Sequence, residues 1–162
     1  MMEIREINPA EHEFLRDMLY EAIYFADEDQ KLPKSIVFEP HLSKYVDNFG
    51  RKGDYAFVLA DKNELTGAVW SRLFAESEKS YGFVDEKTPE LSIAVKENYR
   101  NKGFGRILIA KLLETLKTDG FEKVSLSVDG RNRAVNLYRK MDFEIISKHG
   151  TALTMVKKIN KI

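Results

Sequence analysis

The chain has 162 residues, 43% of them hydrophobic and 11% aromatic, enough apolar material for a core, which excludes a disordered chain. Lys plus Arg and Asp plus Glu number 26 each, so the formal charge is zero, which argues against a protein that mainly coats phosphate backbone. Cysteine is absent, which excludes disulfides, thiolate zinc sites and a cysteine nucleophile. The start, Met1-Met2-Glu3-Ile4-Arg5-Glu6, is charged and lacks the apolar run of a signal peptide. The longest wholly apolar run is Tyr55–Ala60, far below the ~18 residues that span a bilayer. These features predict one cytoplasmic domain over residues 1–162, with no membrane or nucleic-acid partner.

Met2 to Ile7 reads as a short strand. Asn8-Pro9 then opens a helix of about four turns, with Phe14, Leu15, Met18, Leu19, Ala22 and Ile23 at helical spacing. Residues 27–40, polar and broken by Pro33 and Pro40, read as loop. A second helix is expected from Leu42 to Phe49, ending at Gly50. Asp54–Ala60 and Leu65–Leu73 form a predicted hairpin across Asp61-Lys62-Asn63-Glu64. Tyr81–Val84 reads as a short edge piece and Glu90–Val95 as a further strand. A glycine loop follows, and then Ile107, Leu108, Leu112, Leu113 and Leu116 mark a helix that stops at Gly120. Val124, Leu126 and Val128 alternate in a strand over 123–128. A short helix is expected over 132–140, and strands over 143–147 and 153–159. Meandering strands followed by strand–helix–strand crossovers make a mixed α/β sheet.

The informative stretch runs from Leu91 through Arg100-Asn101-Lys102-Gly103-Phe104-Gly105-Arg106 into the helix at Ile107. A strand, a glycine loop and a helix start make an anion site. The free N–H groups of the first turn point outward, and the helix dipole adds partial positive charge. Glycine lets backbone approach a phosphate closely, and Arg100, Lys102 and Arg106 add cationic groups. No P-loop string is present. Gly103 and Gly105 supply two glycines of a dinucleotide fingerprint, but Leu108 holds the third place. Alone, such a pair is more often a plain turn into a helix than a ligand site.

A second constellation stands about thirty residues on: Asn132-Arg133-Ala134-Val135-Asn136-Leu137-Tyr138, then Asp142-Phe143. Together the two resemble the GNAT superfamily of acyl-CoA-dependent N-acyltransferases, bacterial-type single-domain members included. The family carries Arg/Gln-x-x-Gly-x-Gly/Ala before its third helix and Asn-x-Ala-x-x-Leu-Tyr, then Gly-Phe, after its fifth strand. Asp142 stands where the family has glycine, at a helix end where left-handed backbone is common.

The resemblance implies a three-layer mixed α+β fold. Its central, mostly antiparallel sheet has six or seven strands, with helices on both faces and a cleft between splayed fourth and fifth strands. It implies acetyl-CoA as co-substrate and no metal. In the cleft, Ile93, Ala94 and Val95 would present main chain to the pantetheine arm, and Arg100 to Arg106 would cradle the pyrophosphate. Asn132 would bind the pantetheine amides, or cap a helix, or both. Tyr138 would protonate the departing thiolate, or else serve as a core aromatic. The Val95 N–H is the expected oxyanion donor. Glu90 is the first candidate for general base, against a plain surface carboxylate or a water chain.

The acceptor side falls to the loop 25–40, the hairpin with Trp70 and Arg72, and residues 80–86. Trp70 and Arg72 share a strand face. They are read either as pocket walls or as a Trp70 buried under the first helix with Arg72 exposed. Loop acids such as Asp27, Glu28 and Asp85 would attract a cationic amine, or are simply solvated. His12, His41 and His149 form no metal-ligand spacing. The expected reaction is direct acetyl transfer to a small-molecule or peptide amine in a ternary complex, and a homodimer is allowed. The alternative is a non-catalytic acyl-CoA-binding or sensing module on the same fold.

Overall fold

A computed structural model describes residues 1–160. Seven strands form one sheet: β1 (Met2–Glu6), β2 (Tyr55–Asp61), β3 (Glu64–Arg72), β4 (Glu90–Val95), β5 (Lys123–Asp129), β6 (Glu144–His149) and β7 (Ala152–Lys158). Their spatial order is β1-β2-β3-β4-β5-β7-β6. Every neighbouring pair is antiparallel except β4 and β5, which run parallel. The helices are α1 (Phe14–Ala22), α2 (Pro40–Ser43), α3 (Phe104–Thr118) and α4 (Ala134–Lys140). The mixed, mostly antiparallel sheet with helices on both faces is the architecture expected from the sequence.

Strand alternation divides the core in two. Phe57, Leu59, Val69, Leu91, Val124, Leu126 and Val128 point to one face, where Leu108, Ile109, Leu112 and Leu116 of α3 cover them. Ala56, Val58, Ala68, Trp70 and Ala94 point to the other, where Leu15, Met18 and Leu19 of α1 lie. Five buried residues of α3, Leu108, Ile109, Leu112, Leu113 and Leu116, recur at helical spacing along its 15 residues and form the stripe that meets the sheet.

Three local expectations are corrected. The segment after Asn8 opens with a 3-10 turn, Pro9–Glu11, so α1 begins only at Phe14. Glu11 causes the turn: its carboxylate accepts from the Asn8 N–H at 2.9 Å and binds Arg5 of β1, tying the turn to the sheet edge. The second helix starts earlier, at Pro40, and is only four residues long, after which the chain continues in turns. Tyr81–Val84 pairs with no strand. The Tyr81 and Gly82 N–H groups go instead to side chains, as described below, and the Phe83 N–H closes a turn on Ser80 O.

Candidate active site

The strands β4 and β5 meet at one register pair, Glu90 opposite Ser125, with the Ser125 N–H donating to the Pro89 carbonyl at 3.0 Å. Beyond that point they splay. On its other side β4 is fully paired to β3, with Gly67 opposite Val95 and Val69 opposite Ile93. The Lys96 N–H donates to Thr66 O at 2.8 Å, which fixes the phase of the antiparallel ladder. Even-numbered residues of β4 therefore hydrogen-bond to β3, and Leu91, Ile93 and Val95 turn their main-chain groups away from it, into the splay. Ala94 is corrected accordingly: its main chain is spent on β3 and its side chain is core. The Val95 carbonyl is also taken, by Arg100 Nε at 2.7 Å, so Val95 offers the cleft its N–H alone.

The glycine loop joins β4 to α3. Asn101 and Gly103 both have left-handed backbone, φ 61 and φ 86. Gly103 is the residue before the first turn of α3, and a Cβ there would meet nothing within 4 Å. No side chain caps this helix start and no acid lies in its first turn. The N–H groups of a 15-residue helix thus face solvent uncompensated, an arrangement suited to phosphate oxygens. Phe104 turns its ring into the core, while Asn101, Lys102 and Arg106 are exposed around the loop. Arg100 is placed differently from expectation: besides Val95 it pairs with Glu21 of α1 at 3.3 Å, and so fastens the end of β4 to the first helix. A Cβ on Gly105 would touch Leu137 at 3.5 Å and Ile93 at 3.9 Å, so the loop, β4 and α4 converge there.

Asn132 caps α4. Its Oδ1 accepts from the Ala134 N–H at 2.9 Å, which leaves its amide N–H groups free to donate. Tyr138 is 7% exposed and belongs to the core on the α3 face. Burial alone pushes its phenol up to about 12. Buried tyrosine hydroxyls ordinarily find a partner, and no hydrogen bond contributes to this one's shift. Asp142 has φ 69, the left-handed conformation expected where the family has glycine.

Glu90 is 4% exposed. Its Oε2 accepts from the Tyr45 hydroxyl at 2.7 Å, and its Oε1 accepts from the Ser80 hydroxyl and from the Gly82 N–H at 2.9 Å. Burial pushes the carboxyl up, against the opposing pull of these three donors and of the Lys44 charge. Glu90 is therefore no plain surface carboxylate. Residues 80–86 fall on the expected acceptor side, but nothing local marks Tyr45, Ser80 and Gly82 as partners of Glu90, because they come from turns distant in sequence. Ser125 and Ser127 do carry a local signal: both stand on the polar face of β5, opposite Val124, Leu126 and Val128.

Trp70 and Arg72 do share a face and both are 1% exposed; Arg72 borders a cavity that Lys44, Asp47, Arg51 and Phe74 also line, but its guanidinium is held by the fold. The Trp70 indole donates to Tyr45 O at 3.1 Å. Arg72 pairs with Asp54 through Nε at 3.1 Å and Nη2 at 2.8 Å, and its Nη1 donates to the carbonyls of Lys44 and Asp47. All its useful donors serve the fold. Among the described residues no group of three His, Cys, Asp or Glu is placed to hold a metal, and no helix is long and apolar enough to cross a membrane. His12 and His41 pack edge-on against Phe49 and Tyr81.

Comparison with known proteins agrees with this fold. The model of the acetyltransferase (GNAT) family matches residues 11–143. No curated protein matches the sequence. Among solved structures, a Salmonella typhimurium protein with its cofactor acetyl-CoA superposes with a TM-score of 0.71 at 18% identity, over 100% of this chain and 96% of that one. The PaiA N-acetyltransferase of Thermoplasma acidophilum, in complex with coenzyme A, gives 0.68 at 18% identity, over 98% and 99%. The ribosomal-protein-S18-alanine N-acetyltransferase of Escherichia coli gives 0.68 at 17% identity, over 100% and 96%. At these identities the likeness is one of fold.

Proposed function

The chain belongs to the acetyltransferase (GNAT) family, and from that membership we propose that it moves an acetyl group from acetyl-CoA to a primary amine by direct transfer in a ternary complex. The observation that carries this reading is the splay beyond Glu90 and Ser125, which turns the main chain of Ile93 and the N–H of Val95 toward the cleft beside an uncapped helix start. Those groups fit acetyl-CoA. The first turn of α3, with Gly103 clearing its approach, would take the pyrophosphate, and the Ile93 main chain and the Asn132 amide would take the pantetheine arm, which leaves the Val95 N–H for the thioester.

Acetyl-CoA supplies a thioester carbonyl open to attack. Transfer forms a C–N bond and breaks the C–S bond, so the chain must remove one proton from the amine and deliver one to sulfur. Glu90 takes the first: its carboxylate lies at the apex of the splay on the α1 face. Tyr138 gives the second from the α3 face, its hydroxyl held protonated across the neutral range by burial. The Val95 N–H, directed into the splay, is the donor for the carbonyl oxygen as it gains charge.

The test is CoA release from acetyl-CoA against a panel of amines, beside a thermal-shift assay. Turnover with at least one amine and a melting-temperature rise specific to acetyl-CoA are expected. Equal rises with ATP and acetyl-CoA would remove the donor assignment. A rise without release from any amine would make the chain an acyl-CoA-binding module.

A further inference from the structure

We propose that Tyr45 is a positioning residue for Glu90: its hydroxyl, together with the 80–82 strap, orients the carboxylate and sets how tightly Glu90 keeps a proton. The inference rests on the reading of Glu90 as the base. It adds the group through which the fold controls that base.

The geometry is specific. The Tyr45 hydroxyl has one proton and gives it to Glu90 Oε2 at 2.7 Å, while it accepts the Tyr81 N–H at 3.0 Å. Accepting from Tyr81 fixes the direction in which the hydroxyl donates. The Ser80 hydroxyl and the Gly82 N–H occupy Oε1. All three donors favour the ionised carboxyl, and a proton arriving at Glu90 meets Oε1 with both acceptor sites filled and Oε2 with one left. The strap reaches this close because residue 82 is glycine: a Cβ there would lie 2.9 Å from Glu90 Cδ and 2.9 Å from the Leu126 backbone. Its other end is fastened by the Lys44 ammonium, which donates to Lys79 O at 2.6 Å.

The charged and polar groups around Glu90 come from every neighbouring element. Lys44 and Tyr45 follow α2, and Ser80 and Gly82 belong to the strap. Arg72 stands opposite on β3 with its charge already matched by Asp54, and Ser125 stands opposite on β5. Among the described residues the Ser125 hydroxyl is the buried side-chain polar atom without a partner. Such atoms are rare in folded proteins. This one is fully buried and stands opposite Glu90 at the point where the two strands part.

The experiment follows the Glu90 carboxyl carbon over pH by NMR in the full chain labelled with 13C-glutamate, the signal being assigned by its loss in Glu90→Gln. In Tyr45→Phe the titration midpoint should rise by about one pH unit, the loss expected of one hydrogen bond to an ionised group. Ser80→Ala should move it the same way and serves if Tyr45→Phe does not fold. Midpoints equal to the wild-type value in both variants overturn the inference. With an amine from the panel, the acidic limb of kcat/KM should move with the NMR midpoint. A midpoint that moves while the kinetic limb stays in place would instead overturn Glu90 as the base, and with it the place of Tyr45 in catalysis.

Discussion

Phe143 lies edge-on to Tyr138, with ring centroids 5.9 Å apart, because Asp142 reverses the chain between them. The Phe143 N–H returns to Tyr138 O at 3.0 Å and the Asp142 N–H to Arg139 O at 3.0 Å, the paired bonds of a Schellman turn. Asp142 pays for this turn with φ 69. A left-handed conformation costs an ordinary residue roughly 1–2 kcal/mol, Asp being among those that bear it best. Asp142→Gly should therefore stabilise the protein by about 1 kcal/mol, seen as a melting-temperature rise of roughly 2–4 °C. A fall would show that the aspartate side chain contributes more than its backbone costs.

Tyr138→Phe keeps the ring against Phe143 and removes only the hydroxyl. If the hydroxyl protonates the leaving sulfur, kcat should fall about 10²-fold with little change in KM for acetyl-CoA. With the phenol pushed up to about 12, wild-type kcat should show no alkaline loss from its ionisation in the range where the protein is assayed. Wild-type turnover in the variant would return Tyr138 to a packing role.

Gly103→Val places a β-branched residue at φ 86, directly before the first turn of α3. The side chain would stand in the open space over the loop, where phosphate must approach. The thermal shift with acetyl-CoA should disappear, while the unliganded melting temperature falls only by the local strain. A retained shift would move the pyrophosphate elsewhere.

Arg72 and Asp54 are 1% and 0% exposed at the side chain, an ion pair with no solvent to replace either partner. Arg72→Ala should cost about 3–5 kcal/mol in urea unfolding, because it strands the Asp54 carboxylate in the interior. Adding Asp54→Ala should restore part of that loss. In whatever fraction remains folded, KM for the amine should be unchanged, which separates this structural pair from the site.

Glu11 beside Arg5, and Asp129 beside Arg131, are each held down to about 2. A depressed carboxyl stabilises the fold above its unfolded value and loses that contribution as pH falls through the folded one. Stability should therefore decline between about pH 4.5 and pH 2, the ordinary and depressed values of Glu11. Asp129→Asn and Glu11→Gln should each flatten the melting-temperature profile there. A profile unchanged in both variants would exclude these pairs from acid unfolding.

The strand alternation, the stripe of α3, the glycine turn before it and the two motifs were all legible in the sequence. Each depends on residues within a few positions of one another. Period-2 pleating decides that Val124, Leu126 and Val128 face one way. The N–H groups of a helix start lack intrahelical partners whatever the rest of the chain does. Even the left-handed Asp142 is a local matter, decided by the end of a helix.

Only the tertiary structure decided what becomes of the side chains. Glu90 could be read as a strand-end carboxylate, but its protonation is governed by Tyr45, 45 positions away, and by Ser80, 10 positions away. Trp70 and Arg72 alternate as a pocket wall would, yet the turns after α2 close over them and consume their donors. Burial and hydrogen-bond partners belong to the space between elements. The free energy of a charge there depends on desolvation and on donors brought in by distant segments, neither of which local periodicity encodes.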